Sequence, residues 1–224
     1  MTTLHVVRVF VGPGGRGGNP LGVFLDGAAI AAERRQAVTV ELGFAETVFV
    51  DDIVRGNIRI FVPTNELPFA GHPSVGTAWL LREVGTPVAV LRPPAGDVPV
   101  RYEGDRTWIR ARPEWVPGAV RIVELGTAAE VAAHPGQEMG EPWLYVWAWK
   151  DEASGRLRSR SFPTEYGILE DEASGAASVA MGARLRRPLT IHQGIGSEIL
   201  VRPHDDGTVE IGGRTEMVEM RKFP

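Results

Sequence analysis

Apolar and polar positions alternate along much of the first hundred residues, and two stretches break that rhythm by being small or apolar on every side. Residues 6–11 read as a strand, 12–20 as a glycine-dense loop and 21–25 as a second strand. Residues 28–40, rich in Ala, Glu, Arg and Gln, predict a short surface helix. Residues 57–61 alternate again, and Pro63-Thr64 ends that strand. Pro68, Gly71 and Pro73 then frame a helix start, with Pro73 at the first helical position, where its missing N–H is no loss. The helix runs to about Val84 and stops at Gly85. Its body, 75–81, has no polar face and predicts a helix buried on all sides. Short runs at 88–91, 98–102 and 107–111 predict an antiparallel meander, and 113–117 a linker.

The second half follows a similar plan. Residues 143–150 form a strongly β-prone run, 151–155 a turn, and 157–162 a return strand ended by Pro163-Thr164, as Pro63-Thr64 ended its counterpart. Gly175-x-x-Ser178-Val179 mirrors Gly71-x-x-Ser74-Val75 and opens a second small, apolar helix over 176–185. Further strands follow between 188 and 213, including 198–201 and 208–211. The match is imperfect, because Pro63 to Gly71 spans 8 residues and Pro163 to Gly175 spans 12. An internal duplication predicts an α+β fold of two pseudo-symmetric halves, 1–113 and 114–224, with the last residues free to return to the first half. Each half is then a bent antiparallel sheet wrapped around one apolar helix, and the two helix N-termini face each other across a cleft.

Composition narrows the chemistry. Apolar content of 43% and charged content of 23% are ordinary for a globular chain of 224 residues. The net charge is −4 and the arginines are scattered, so no basic face for nucleic acid is expected. There is no cysteine, which excludes disulfides, thiolate metal sites and racemases that work with a pair of thiols. No run approaches a membrane span and the N-terminus has no basic leader, so no membrane partner and a cytoplasmic location are expected. The histidines at 5, 72, 134, 192 and 204 show no paired metal-ligand spacing, and all but His72 read as surface or loop residues. A Gly-x-Ser-x-Gly hydrolase elbow is missing. The glycine-rich loop lacks the Lys-Ser/Thr ending of a phosphate cradle and leads into a strand, so it reads as a mobile hairpin loop. Trp143, Trp147 and Trp149 share one strand face, which suits core or dimer packing.

Three stretches carry the chemistry: 44–50, 66–79 and 170–180, expected to meet in one cleft. With period two, Phe44, Glu46, Val48 and Val50 share a face. A carboxylate there is either a desolvated proton carrier with a raised pKa or an edge-strand glutamate with its head in water, and spacing leaves both open. A buried helix whose N-terminus opens onto a cleft presents free N–H groups to an anion. His72 fits that site or a structural core position. Asp171 fits it too, or the cap of the second helix.

These residues resemble the PhzF family, the phenazine-biosynthesis isomerases and their relatives in the diaminopimelate-epimerase-like fold. The resemblance rests on Gly18-Asn19-Pro20, Ala45-Glu46-Thr47-Val48-Phe49-Val50, the segment from Phe61 to Pro73 ending in Gly71-His72-Pro73, and Gly167-Ile168-Leu169-Glu170-Asp171. It is densest over 5–85 and 157–182. The resemblance implies a homodimer and a cofactor-independent, metal-free isomerase or epimerase acting on a small anionic metabolite; in the phenazine enzyme this is trans-2,3-dihydro-3-hydroxyanthranilate. It further implies that Glu46 carries the proton, that His72 and Asp171 hold polar groups and the proton network, and that backbone amides at Gly71 and Gly175 meet the carboxylate. The candidate binding set is Asn19, Gly71, Ser74, Ser174, Gly175 and Ala176.

The chain departs from the family in its second half. Asp171-Glu172-Ala173-Ser174-Gly175-Ala176-Ala177 stands where Asp-Pro-Ala-Thr-Gly-Ser-Ala is common, so Ala176 replaces a substrate-binding serine. The lost hydroxyl is worth about 0.5–1.5 kcal/mol. The second half is also short, and no glycine–arginine–serine cluster follows Gln193-Gly194. These departures imply a different substrate or weakened activity, and they leave a catalytically weakened small-ligand binding protein as the alternative.

Overall fold

The computed structural model describes residues 2–116 and 118–224; Pro117, the end of the expected linker, lies outside the described residues, as does Met1. Strand β1 (Thr2–Val11) leads into β2 (Asn19–Phe24), helix α1 (Ala32–Leu42), β3 (Glu46–Asp52), β4 (Asn57–Phe61), the short β5 (Glu66–Leu67) and helix α2 (Gly71–Glu83). The meander is β6 (Val90–Leu91), β7 (Val98–Glu103) and β8 (Arg106–Ala111). Then come β9 (Arg121–Glu124), α3 (Ala128–Ala133), β10 (Leu144–Asp151), β11 (Arg156–Phe162), α4 (Gly175–Leu185), β12 (Leu189–Gln193), β13 (Ser197–Pro203) and β14 (Val209–Phe223).

The architecture is α+β, one 14-stranded sheet bent around two helices. The run β2-α1-β3-β4-α2-β6-β7-β8 recurs as β9-α3-β10-β11-α4-β12-β13-β14, and its pairing recurs with it. The pairs β2–β3 and β9–β10 are both parallel. The hairpins β3–β4 and β10–β11 are antiparallel, with register shifts at Val50/Asp52 and Trp149/Asp151. A parallel bridge from Asn57 to Arg92 matches the parallel β11–β12 pair. Both meanders are antiparallel. The sheet is therefore mixed, with parallel pairs wherever a helix connects the strands.

Strand β14 joins the two units. Its first residues pair with β13 and β8, and from Arg214 onward it pairs with β1 as far as Thr2 opposite Phe223. Residues 214–223 carry little periodic apolar signal, and the sequence reading placed no strand there.

Every residue of α2 from Gly71 to Leu81 is buried, as its lack of a polar face predicts. Leu80 and Leu81 are fully enclosed, each worth about 1.5–3 kcal/mol of burial. Gly76 allows the close fit: a Cβ there would lie 2.6 Å from Val9 Cγ2. Pro73 occupies the third helical position, not the first, because the helix begins at Gly71. That position also lacks an intrahelical N–H partner, so proline is equally harmless. Helix α1 starts later than expected, after a 3-10 turn at Gly27–Ala29. Of the expected linker, Pro113–Trp115 is a 3-10 turn, and Trp115 packs against Phe69 at 5.7 Å. Trp143 and Trp147 are buried in the main core, with Trp149 packed against it. His5 is buried within β1 and His192 lies in β12, so neither is the loop residue expected.

Candidate active site

Helices α2 and α4 meet tip to tip. A Cβ on Gly71 would lie 2.7 Å from Gly175 Cα, and one on Gly175 would lie 2.6 Å from His72 N. Only glycine permits this approach. The two tips share one construction. Ser74 N and Oγ both donate to Ala70 O, and Ser178 N and Oγ both donate to Ser174 O. Positions 70–74 and 174–178 therefore correspond one to one. Abutting two positive helix ends is unfavourable in itself and favours an anion at the junction.

Beside the junction is a narrow cavity of about 30 Å³, room for one water. Glu46, His72 and Asp171 line it together with Gly71, Ser174, Gly175 and Ala176, so the three expected stretches do meet. Its far wall is apolar, formed by Val62, Leu67, Trp143, Tyr166 and Ile168. Trp143, expected only to pack, thus lines the cavity, with its indole N–H donating to Ser161 Oγ at 2.9 Å.

Glu46 is the first residue of β3, with its side chain 9% exposed. The strand begins there, so the alternation does not reach back to Phe44, which packs against a separate cluster with Phe24 and Phe49. Burial pushes the Glu46 carboxyl well above the usual carboxylate range, and the charge of Asp171 adds to the rise. The reading with its head in water is excluded. Burial also raises Asp171, to about 6, against the opposing pull of the Ser174 hydroxyl, the Ala173 N–H and Asn19. Two buried carboxyls that repel one another titrate as a pair, so ionising one disfavours ionising the other.

Burial holds the His72 imidazole down to about 3, so it is neutral. Its tautomer follows from Asn19. The Asn19 Nδ2 faces Asp171 Oδ1 and Ala173 O, both acceptors, which fixes the amide nitrogen on that side. The same nitrogen, its two protons already engaged, lies 3.2 Å from His72 Nδ1. An amide nitrogen cannot accept, which disfavours a proton on Nδ1 and places it on Nε2, 3.5 Å from Glu46 Oε2. Neither of these two buried atoms has a hydrogen-bond partner among the described residues. Both point where a ligand atom would complete them.

Other members of the expected set are placed differently. Asn19 does not line the cavity; it sits behind it and ties His72 to Asp171. Ser74 is fully buried with its hydroxyl bound to Ala70 O, so it does not face the cavity either. Asp171 is not the cap of α4, whose N-cap is Ser174. Among the described residues no three His, Asp or Glu side chains converge as a metal site.

A family model described as phenazine biosynthesis-like protein, PhzC-PhzF, matches residues 9–115. Over 82% of this chain and 80% of the relative, the sequence is 33% identical to a trans-2,3-dihydro-3-hydroxyanthranilate isomerase of Pseudomonas aeruginosa. The structure of a predicted epimerase from the same species superposes with a TM-score of 0.76 at 23% identity, covering 100% of this chain and 99% of the other. A hydroxyproline epimerase from Agrobacterium vitis, with bound trans-4-hydroxy-L-proline, shares the fold at a TM-score of 0.61 and 12% identity, covering 98% and 91% of the two chains.

Proposed function

Since this chain belongs to the PhzF family of isomerases, we propose that the cavity between its helix tips is the active site of a cofactor-independent isomerase that moves a proton on a small carboxylate-bearing metabolite. The observation that carries this reading is the pair of unpartnered buried atoms, Glu46 Oε2 and His72 Nε2, at the mouth of two facing helix N-termini. The relatives support the carboxylate: the ligands in the two names that state one, an anthranilate and a proline, both carry it.

The substrate carboxylate accepts from the free N–H groups of Gly71, His72, Gly175 and Ala176, where both helix dipoles favour negative charge. Glu46, in its ionised form, takes a proton from carbon. The C–H electron pair shifts along the conjugated system, and Glu46 returns the proton at its far end. No electrons leave the substrate and no co-reactant is consumed. The raised pKa of Glu46 makes both halves of this exchange accessible near neutrality. His72, donating through Nε2, steadies the developing charge without becoming a cation. A cavity of about 30 Å³ is smaller than any such substrate, so the halves part to admit it.

The test is incubation with trans-2,3-dihydro-3-hydroxyanthranilate in D₂O. Isomerisation with solvent deuterium in the product is expected. A catalytically weakened binding protein is the second reading, favoured by Ala176 at the tip of α4. Saturable carboxylate binding with no exchange, across a panel of cyclic amino and hydroxy acids, would establish it instead.

A further inference from the structure

The glycine-rich loop between β1 and β2 interlocks with the β12–β13 turn. A Cβ on Gly12 would lie 1.8 Å from Gly196 O, and one on Gly17 would lie 2.4 Å from Ser197 N. Gly18 N donates to Ser197 Oγ at 2.8 Å. The density of glycine here serves backbone contact between the two halves, so the loop is a clasp and not the free hairpin its composition suggested.

Against this clasp lies a second cavity of about 350 Å³, open to solvent, lined by Arg16, Lys150, Arg158 and His192 with the backbone of residues 193–196. Nearby Arg160 pairs with Glu170 at 2.7 Å and Arg8 with Glu216 at 2.9 Å, whereas Arg16, Lys150 and Arg158 have no ion pair among the described residues. Arg158 is half-buried and held in place, its Nη1 donating to Ser159 O at 3.0 Å and His192 O at 3.2 Å. His192 Nε2 is buried without a partner. The acids in reach are Glu198, across the strand pair from His192, Glu172, which accepts from Ile195 N and Ser197 Oγ, and Glu170, which pairs with Arg160 and also acts on Arg158. The half-buried charge of Arg158 is costly until an anion completes it, and the exposed Arg16 and Lys150 add attraction at the rim.

We propose that this cavity binds an oxyanion of phosphate size, as inorganic phosphate or as the phosphate of a small monoester. Arg16 comes from the first half and the other three groups from the second, so the bound anion bridges the halves across the clasp. Its volume exceeds that of phosphate alone and leaves room for the body of a monoester.

Calorimetric titration of the whole chain with inorganic phosphate, and separately with glycerol phosphate, tests this at constant ionic strength. One saturable site is expected, with the monoester tighter if the cavity serves a metabolite and equal if it serves the free ion. Arg16→Gln with Lys150→Gln, both exposed and outside the active site, weakens it about tenfold or more, with circular dichroism confirming the fold. Burial and the neighbouring Lys150, Arg156 and Arg158 hold the His192 pKa down, with Glu198 opposing them, and bound phosphate moves it up in an NMR titration. Absence of binding at millimolar phosphate overturns the proposal. So does binding undiminished in the double variant, which would place the anion at the helix tips.

Discussion

The two halves share a plan and differ at the positions that face the cavity. Counting back from the matching register shifts, Glu46 of β3 corresponds to Tyr145 of β10. Counting back from the helix tips, Leu67 corresponds to Asp171 and His72 to Ala176. Each pair sets an ionisable group against an inert one. Tyr145 counts as inert because burial drives its phenol far above its ordinary value, against the weaker opposing pull of the Ser159 hydroxyl. A repeated scaffold has thus been filled asymmetrically: the Glu46 carboxyl and the imidazole come from one half, the second carboxyl from the other. The difference teaches that the repeat supplies the two helix tips, while the ionisable groups of the cavity belong to single copies.

The sharpest way to break this comparison is at the 46/145 pair. Glu46→Gln is expected to lower kcat by about 10²–10⁴, while Tyr145→Phe leaves it essentially unchanged. Equal losses in the two variants would restore a symmetric site. Next in size is the junction itself. Gly175→Ala forces a methyl to within 2.6 Å of His72 N and is expected to cost about 1–3 kcal/mol in a urea melt. Alanine at Gly85, where nothing crowds a Cβ, tests only backbone conformation and separates that effect from contact between tips.

The 67/171 pair predicts a pH signature. Because its pKa is raised, Asp171 contributes stability that is fully present below about pH 3.8 and is lost as pH rises to about 6. Asp171→Asn therefore gains on the native protein above that window, by up to about 3 kcal/mol, and gains nothing below it. Chemical denaturation on either side of the window reads the difference; His72 is common to both proteins, while loss of the Asp171 charge also relieves Glu46 and adds to the gain above the window. The smallest effect belongs to the 72/176 pair. Ala176→Ser returns a hydroxyl to the cavity and is expected to tighten KM for a hydroxylated carboxylate by up to about tenfold, or about 0.5–1.5 kcal/mol.

How much of this was legible beforehand varies with the kind of signal. The bodies of both helices and the bracketing Pro-Thr pairs follow from local pattern. So does the Gly-x-x-Ser correspondence, because one geometry at each tip demands the same two residues. The burial of Glu46, which spacing left open, needed the tertiary fold. Asn19 behind the cavity, and Ser74 turned back to Ala70, were not legible: a polar residue near a glycine reads as a ligand until its partner is known. The unequal spacing from Pro163 to Gly175 was a better clue than it looked. The extra length falls before Asp171, in the stretch that carries Tyr166 and Ile168, so the break in the repeat is where the cavity acquires its own wall. A return of the last residues to the first half was expected, but that they do so as a strand was not legible, because the exposed Met217, Val218 and Met220 follow no single-face period.

That last strand has a consequence for synthesis. Thr2 is paired with Phe223, so the N-terminal unit cannot complete its own wall until residues 214–223 have left the ribosome. Until then, β1 waits with one edge open and the helix-burying face of its sheet unsealed. Such long-range closure makes folding slow and leaves the nascent chain exposed to wrong strand partners. Chaperone dependence and aggregation of fragments ending before residue 214 are the expected outcome, however sound the finished protein.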